Sequence, residues 1–221
     1  MTGCEFPNIY FVYKLDKNKR RKGDVVCKWM EKTNYLNRIS FGACKGYNQN
    51  CYNYSPNDTS NNHMGQLALK CTKDCRCSYL CLNRQEMKCS VFDSGEEKYL
   101  GKVVDPYDCV NFIFLIYNDI DRKEYSIEAS CCQCYFWCRC PCEGCDTVNF
   151  EIRDANNKNV LSDIVRKGSV CCGKNNKENR VDLMDISFPA GSDWRQRSLL
   201  MCTGIFLDYI WFEDTSSNDN M

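Results

Sequence analysis

The side chains with the widest chemical reach are the cysteines, twenty of them in 221 residues. As thiolates they ligate metals or carry thioester-linked fatty acids; as thiols they fill cores as small apolar groups. They gather in clusters: Cys44 with Cys51; Cys71, Cys75, Cys77 and Cys81 in CTKDCRCSYLC; seven in CCQCYFWCRCPCEGC at 131–145; and Cys171 with Cys172. Structural zinc asks for four thiolate or imidazole ligands, usually as C-x₂₋₄-C pairs. Cys142-x-x-Cys145 and Cys71-x₃-Cys75 meet that spacing, but His63 is the one histidine and the C-x-C steps repeat no finger or ribbon pattern. A dense cluster beside Tyr135, Phe136 and Trp137 also suits palmitate at a membrane surface. The candidates for lipidation are Cys71, Cys75, Cys77, Cys81, Cys138, Cys140 and Cys142. For any single thiol, packing in a loop-rich rim is the plain alternative.

Other chemistry is thinly represented. His63 has no Ser or Cys motif beside it, no glycine loop cradles a phosphate, and no paired carboxylates stand out, so a bond-breaking enzyme is not expected. Lys plus Arg and Asp plus Glu both total 29, which leaves no net field to draw nucleic acid or an anionic membrane. The run Lys17-Asn18-Lys19-Arg20-Arg21-Lys22 could meet anionic headgroups or serve as a nuclear signal. It falls in a predicted hairpin turn, where charges are simply solvated. The first residues lack a basic and apolar leader, which predicts an intracellular chain with reduced thiols.

The elements that must position these residues announce themselves by repetition. CSVFDSGEEKYLGKVV at 89–104 lies over FEIRDANNKNVLSDIV at 150–165 without a gap, Asp93 on Asp154 and Val103 on Ile164. Each is an alternating apolar run, a turn opening at Asp, and a second run, which is the pattern of a β-hairpin. Residues 9–26, with Asp16 at the turn, and 111–129, with Asn118 and Asp119, follow the same plan. Four hairpins joined by Cys-rich loops predict an all-β domain over 9–214. A flexible N-terminus over 1–8 and a disordered Ser, Asn and Asp tail over 215–221 flank it. The exception is SLLMCTGIFLDYIWF at 198–212, apolar around its whole circumference as a helix. It is short of the about 20 residues that a membrane span needs and carries Asp208, so its length favours a core helix. A closed barrel around it would hide both the helix and the strand edges. Asp208 would then need a partner or would mark function.

Several of these segments resemble the phospholipid scramblases, relatives of the Tubby-like proteins. LKCTKDCRCSYLC at 69–81 resembles the family's palmitoylation segment and precedes a hairpin ending in LGKVV. CRCPCEGCDTVNFEI at 138–152 is similar to its second cysteine cluster. ISFPAGSDWRQRSLLMCTGIFLDYIWFED at 186–214 is similar to its C-terminal signature, with Gly204, Asp208, Phe212 and Glu213 in the matching places and Phe206 a further candidate in the central helix. The resemblance covers about residues 9–214. It implies a closed antiparallel Tubby-like barrel of about twelve strands around the C-terminal helix. It also implies ATP-independent, calcium-activated movement of phospholipids between leaflets, at the intracellular face of the plasma membrane. The family's calcium segment corresponds to NRVDLMDISFPAG at 179–191, where Asp182 and Asp185 are the candidate ligands. Counted from Arg180, only Asp182 falls on a ligand position of an EF-type loop, with Met184 and Ile186 on the next two, so weak or absent calcium binding is expected.

Three readings follow. The chain scrambles membrane phospholipids; or it is a palmitoylated adaptor that holds lipid headgroups or protein partners without moving lipid; or it is a zinc-stabilised domain with no membrane role. Nucleic acid is not an expected partner, and the oligomeric state is open.

Overall fold

The computed structural model describes residues 8–32, 46–54, 64–74, 85–106, 111–137, 147–156, 158–167 and 183–212. Eleven strands run in chain order: β1 (Ile9–Leu15), β2 (Arg21–Glu31), β3 (Tyr47–Tyr54), β4 (Met64–Lys73), β5 (Glu86–Asp93), β6 (Glu96–Val104), β7 (Asn111–Asn118), β8 (Lys123–Ser130), β9 (Thr147–Asp154), β10 (Val160–Lys167) and β11 (Leu183–Ile186). A short helix α1 (Cys134–Trp137) follows β8. The helix α2 (Trp194–Leu207) follows β11 and runs on through a wider π-type turn, Asp208–Phe212. The strands form one sheet in which sequence neighbours are sheet neighbours, from β1 to β11. The fold is therefore mainly β with one long C-terminal helix. Eleven strands are described where about twelve were expected, and the sheet is not closed among the described residues.

All four hairpins read from the sequence are present, and their turns show why. In β1–β2, Asp16 Oδ1 accepts from the backbone N–H of Asn18 and Arg20, both at 2.8 Å. In β7–β8, Asn118 Oδ1 accepts in the same way from Ile120 at 3.1 Å and Arg122 at 2.9 Å. A side-chain oxygen thus closes the turn locally before the strands pair. The third loop residue takes a left-handed backbone in both, Lys19 at φ 56° and Asp121 at φ 58°. That is the three-residue hairpin whose extra residue restores strand register. Between β5 and β6, Ser94 and Gly95 both have positive φ, the mirror-image turn that matches strand twist.

The chain divides into two compact units, one of residues 1–100 with 210–221 and one of residues 101–209. In the first, one face of β2–β5 is built from rows of directly opposed residues: Trp29, Cys51, Leu69 and Val91 in one, Glu31, Gln49, Cys71 and Cys89 in the next. All of these except Val91 are buried. Cys51 therefore lies within β3, and Cys71 within β4, rather than in thiol-rich loops. In the second unit the inward residues alternate as the sequence pattern required, with Phe114 and Ile116, Val148, Phe150 and Ile152, and Ile164 fully buried. Gly101 stands at φ 150°, at a place where a β-carbon would collide with the Tyr117 carbonyl and crowd the Leu199 side chain.

Candidate functional site

The helix begins four residues before the apolar run that announces it. Asp193 caps it: its side chain accepts from Gln196 N–H at 2.8 Å, and Gln196 Oε1 accepts from Asp193 N–H at 3.1 Å. This reciprocal box satisfies two of the amide groups a helix start leaves without partners. The pattern Asp-x-x-Gln before an apolar run was the available signal for this boundary. Gln196 Nε2 also donates to Glu124 at 2.8 Å, and Glu124 accepts from Asn118 Nδ2 at 2.7 Å, which ties the helix start to the β7–β8 turn.

Inside the helix the hydroxyls are consumed locally. Ser198 donates to Trp194 O at 2.8 Å and Thr203 to Leu199 O at 2.7 Å, so neither leaves a polar atom facing the core. Leu199, Leu200, Cys202, Phe206 and Leu207 are buried. Phe206 meets Phe114 of β7 edge-on, with centroids 6.0 Å apart and planes at 81°. Gly204 lets the helix approach β11: a β-carbon there would stand 2.9 Å from Ile186 Cδ1 and 3.0 Å from Met184 Sδ.

Asp208 ends the regular helix, and its partner is Arg166. The Arg166 Nε lies 3.7 Å from Asp208 Oδ1, with the arginine side chain 3% exposed and the aspartate 21%. A carboxylate at a helix C-terminus faces the negative end of the helix dipole. The guanidinium offsets the charge of the carboxylate there. Arg166 is the residue that sequence reasoning missed. It stands two positions beyond the buried Ile164 on the same face of β10, so a strand pattern that places a cation inward was the signal.

A second cluster is built where β8 leaves the sheet. Cys131 and Cys132 are in the turn with sulfurs 3.9 Å apart, and the contact from Cys132 holds the Cys131 thiol above its usual pKa. Cys132 and Cys134 are exposed. Gln133 fixes this loop to β9 as a strand would: its amide donates to Asn149 O at 2.8 Å and accepts from Asn149 N–H at 2.7 Å. Phe136 of α1 seats between Phe112, at 4.4 Å, and Phe150, at 6.2 Å.

The remaining candidates are placed as follows. Cys71 is fully buried in β4, opposite Cys89. Asp185 lies in β11 opposite Val165, and Lys167 Nζ donates to its Oδ2 at 3.1 Å. The Phe212 backbone is in the final helical turn. Cys75, Cys77, Cys81, Cys138, Cys140, Cys142, Asp182 and the two chain ends fall outside the described residues. The basic turn is exposed at Lys17, Lys19 and Arg20, and the Arg21 guanidinium lies 4.6 Å above the Tyr13 ring.

A family model described as Scramblase matches residues 1–214. The chain belongs to the scramblase family. No solved structure matches it. Membership supports a scramblase-like function in general and implies interaction with membrane phospholipids and association with a membrane. Among the described residues, no helix is long and apolar enough to cross a membrane, which says nothing of strands as spanning elements.

Proposed function

We propose that this member of the scramblase family moves phospholipids between leaflets in both directions without ATP, as a lipid translocator rather than a bond-breaking enzyme. The observation that carries the reading is a family match over residues 1–214 of 221. It is held at the intracellular face of the plasma membrane by fatty acids on cysteines of the 75–81 and 131–145 segments. Support comes from Cys132 and Cys134, exposed on a loop that Gln133 fixes to the sheet. Cys71 is left out, because acylation there would have to open β4. Closure of the sheet into a barrel belongs to the same proposal, since closing it would remove two open strand edges that invite aggregation. Calcium is not assigned to 179–191: residues Leu183–Ile186 of that segment are strand, and Asp185 is engaged by Lys167.

A second reading has its own support. A helix seated on the sheet through Gly204, Phe206 and Asp208 gives up those contacts if it enters lipid. That favours a membrane-anchored binding module that does not move lipid. Purified full-length protein in liposomes with headgroup-labelled phospholipid separates the two. Dithionite quenching that passes the outer-leaflet half, with protein-free vesicles stopping there, is the result expected of the translocator. Quenching that stops at half with the protein bound leaves the binding module. Repeating the assay with calcium and with a chelator tests the calcium assignment, and equal rates are expected.

A further inference from the structure

The first unit buries an uncommon amount of polar chemistry on one sheet face. Glu31, Gln49, Cys71 and Cys89 are directly opposed across four neighbouring strands, β2 to β5. All four are buried, Gln49, Cys71 and Cys89 fully. Neither cysteine is in a disulfide. Their sulfurs are 3.9 Å apart. Beside them the Gln49 carboxamide has no hydrogen-bond partner at either Oε1 or Nε2. Leaving a buried amide unsatisfied forfeits the hydrogen bonds it made to water, so a native core that keeps one calls for an explanation.

We propose that Cys71 and Cys89, with Gln49 Oε1 as a third donor, form a binding site for a thiophilic divalent metal ion of the zinc type. The sulfur separation is the first argument. With metal–sulfur bonds of about 2.3 Å, two thiolates on a tetrahedral centre stand about 3.8 Å apart. A disulfide instead needs about 2.05 Å and a displacement of both side chains. The second argument is Gln49, which faces Cys71 in register and offers a hard oxygen with nothing else bound to it. The third is charge. Binding expels one proton from each thiol, so a dication enters as a neutral dithiolate unit and adds no net charge to the buried face. The ligands come from three strands. This separates the site from any C-x₂₋₄-C pair, and it is why spacing along the chain could not reveal it.

The test uses the full chain produced in zinc-supplemented medium and purified without chelator. Exposed thiols are first blocked on the native protein with N-ethylmaleimide, which silences metal bound by accessible cysteines. One equivalent of zinc is expected to survive the treatment. Cys71→Ala/Cys89→Ala is expected to lose it, whereas Cys27→Ala, which changes another buried thiol, keeps it. Gln49→Leu should weaken retention at least tenfold. Chain produced with cobalt gives a second readout that needs no variant, a thiolate-to-cobalt absorption band with the intensity of two sulfur ligands. No retained metal in folded parent protein, the same metal in the double variant, or a Cys71–Cys89 disulfide would each overturn the proposal.

Discussion

Asp208 and Arg166 show how a charged residue is tolerated in an otherwise apolar helix. The two differ in access to water: the arginine side chain is 3% exposed and the aspartate 21%. Removing the aspartate takes an ion-pair partner from an almost wholly buried guanidinium, whereas removing the arginine leaves a carboxylate that can still be hydrated. The costs should therefore be unequal. Asp208→Asn is expected to cost about 3 kcal/mol, in the range found when one partner of a buried pair is deleted, and Arg166→Met clearly less. The apolar double replacement Arg166→Met/Asp208→Leu should return to within about 1 kcal/mol of the parent, since it removes both desolvation penalties. Urea unfolding of the three proteins checks this. A neutral Asp208→Asn would mean that the pair contributes nothing to holding the helix end. The pair also marks a limit of legibility. The need for a partner follows from Asp208 alone, but the partner lies 42 positions earlier in the chain, and no local pattern joins them.

At the scale of the element, legibility followed chemistry that acts over a few residues. Asp16 and Asn118 close their own turns by side-chain hydrogen bonds, so the hairpins they open are written locally. Strands β3 and β4 were less legible because their inward positions include Gln49 and Lys73 as well as Cys51 and Cys71. An apolar-versus-polar alternation cannot find a face that carries both kinds of residue. The apolar run marks the helix body but not its start, which lies in the polar Asp193–Gln196 capping box outside that run. The turns allow a sharper statement. Lys19 and Asp121 hold left-handed backbone, which costs a residue with a β-carbon about 1 kcal/mol. Lys19→Gly should thus be stabilising, by some tenths of a kcal/mol after glycine's larger entropy loss on folding, and Asp121→Gly by less, because it also removes the carboxylate that lies 2.8 Å from Lys102 Nζ. Gly95, already in the mirror-image turn, should behave oppositely, with Gly95→Ala destabilising. Thermal melts of the three variants would show the two signs, and a loss of stability in Lys19→Gly would refute the argument.

For the molecule as a whole, the question is what keeps a chain with no net charge on a membrane. Twenty-nine basic and twenty-nine acidic residues give no long-range attraction, so any electrostatic hold must be local, and the exposed turn around Lys17, Lys19 and Arg20 is a basic run among the described residues that could supply it. Basic residues near an anionic leaflet contribute about 1 kcal/mol each, and that contribution fades within a Debye length as salt rises. Acyl chains behave differently. Their attachment grows by about 0.8 kcal/mol per buried methylene, one chain holds marginally, and two hold firmly whatever the ionic strength. If thioester-linked chains are the anchor, concentrated salt should leave the protein on membranes while neutral hydroxylamine, which cleaves thioesters, should release most of it. The cysteines should also divide by burial. Cys71→Ala is expected to leave hydroxylamine-sensitive attachment unchanged, because that thiol is enclosed in β4 opposite Cys89. Replacing Cys132 and Cys134 together with Cys138, Cys140 and Cys142 should reduce it severalfold. Release by salt with no response to hydroxylamine would transfer the anchoring role to the basic turn. The exposed thiols on the Gln133-pinned loop would then need another purpose, and metal ligation by that cluster would be the next to test.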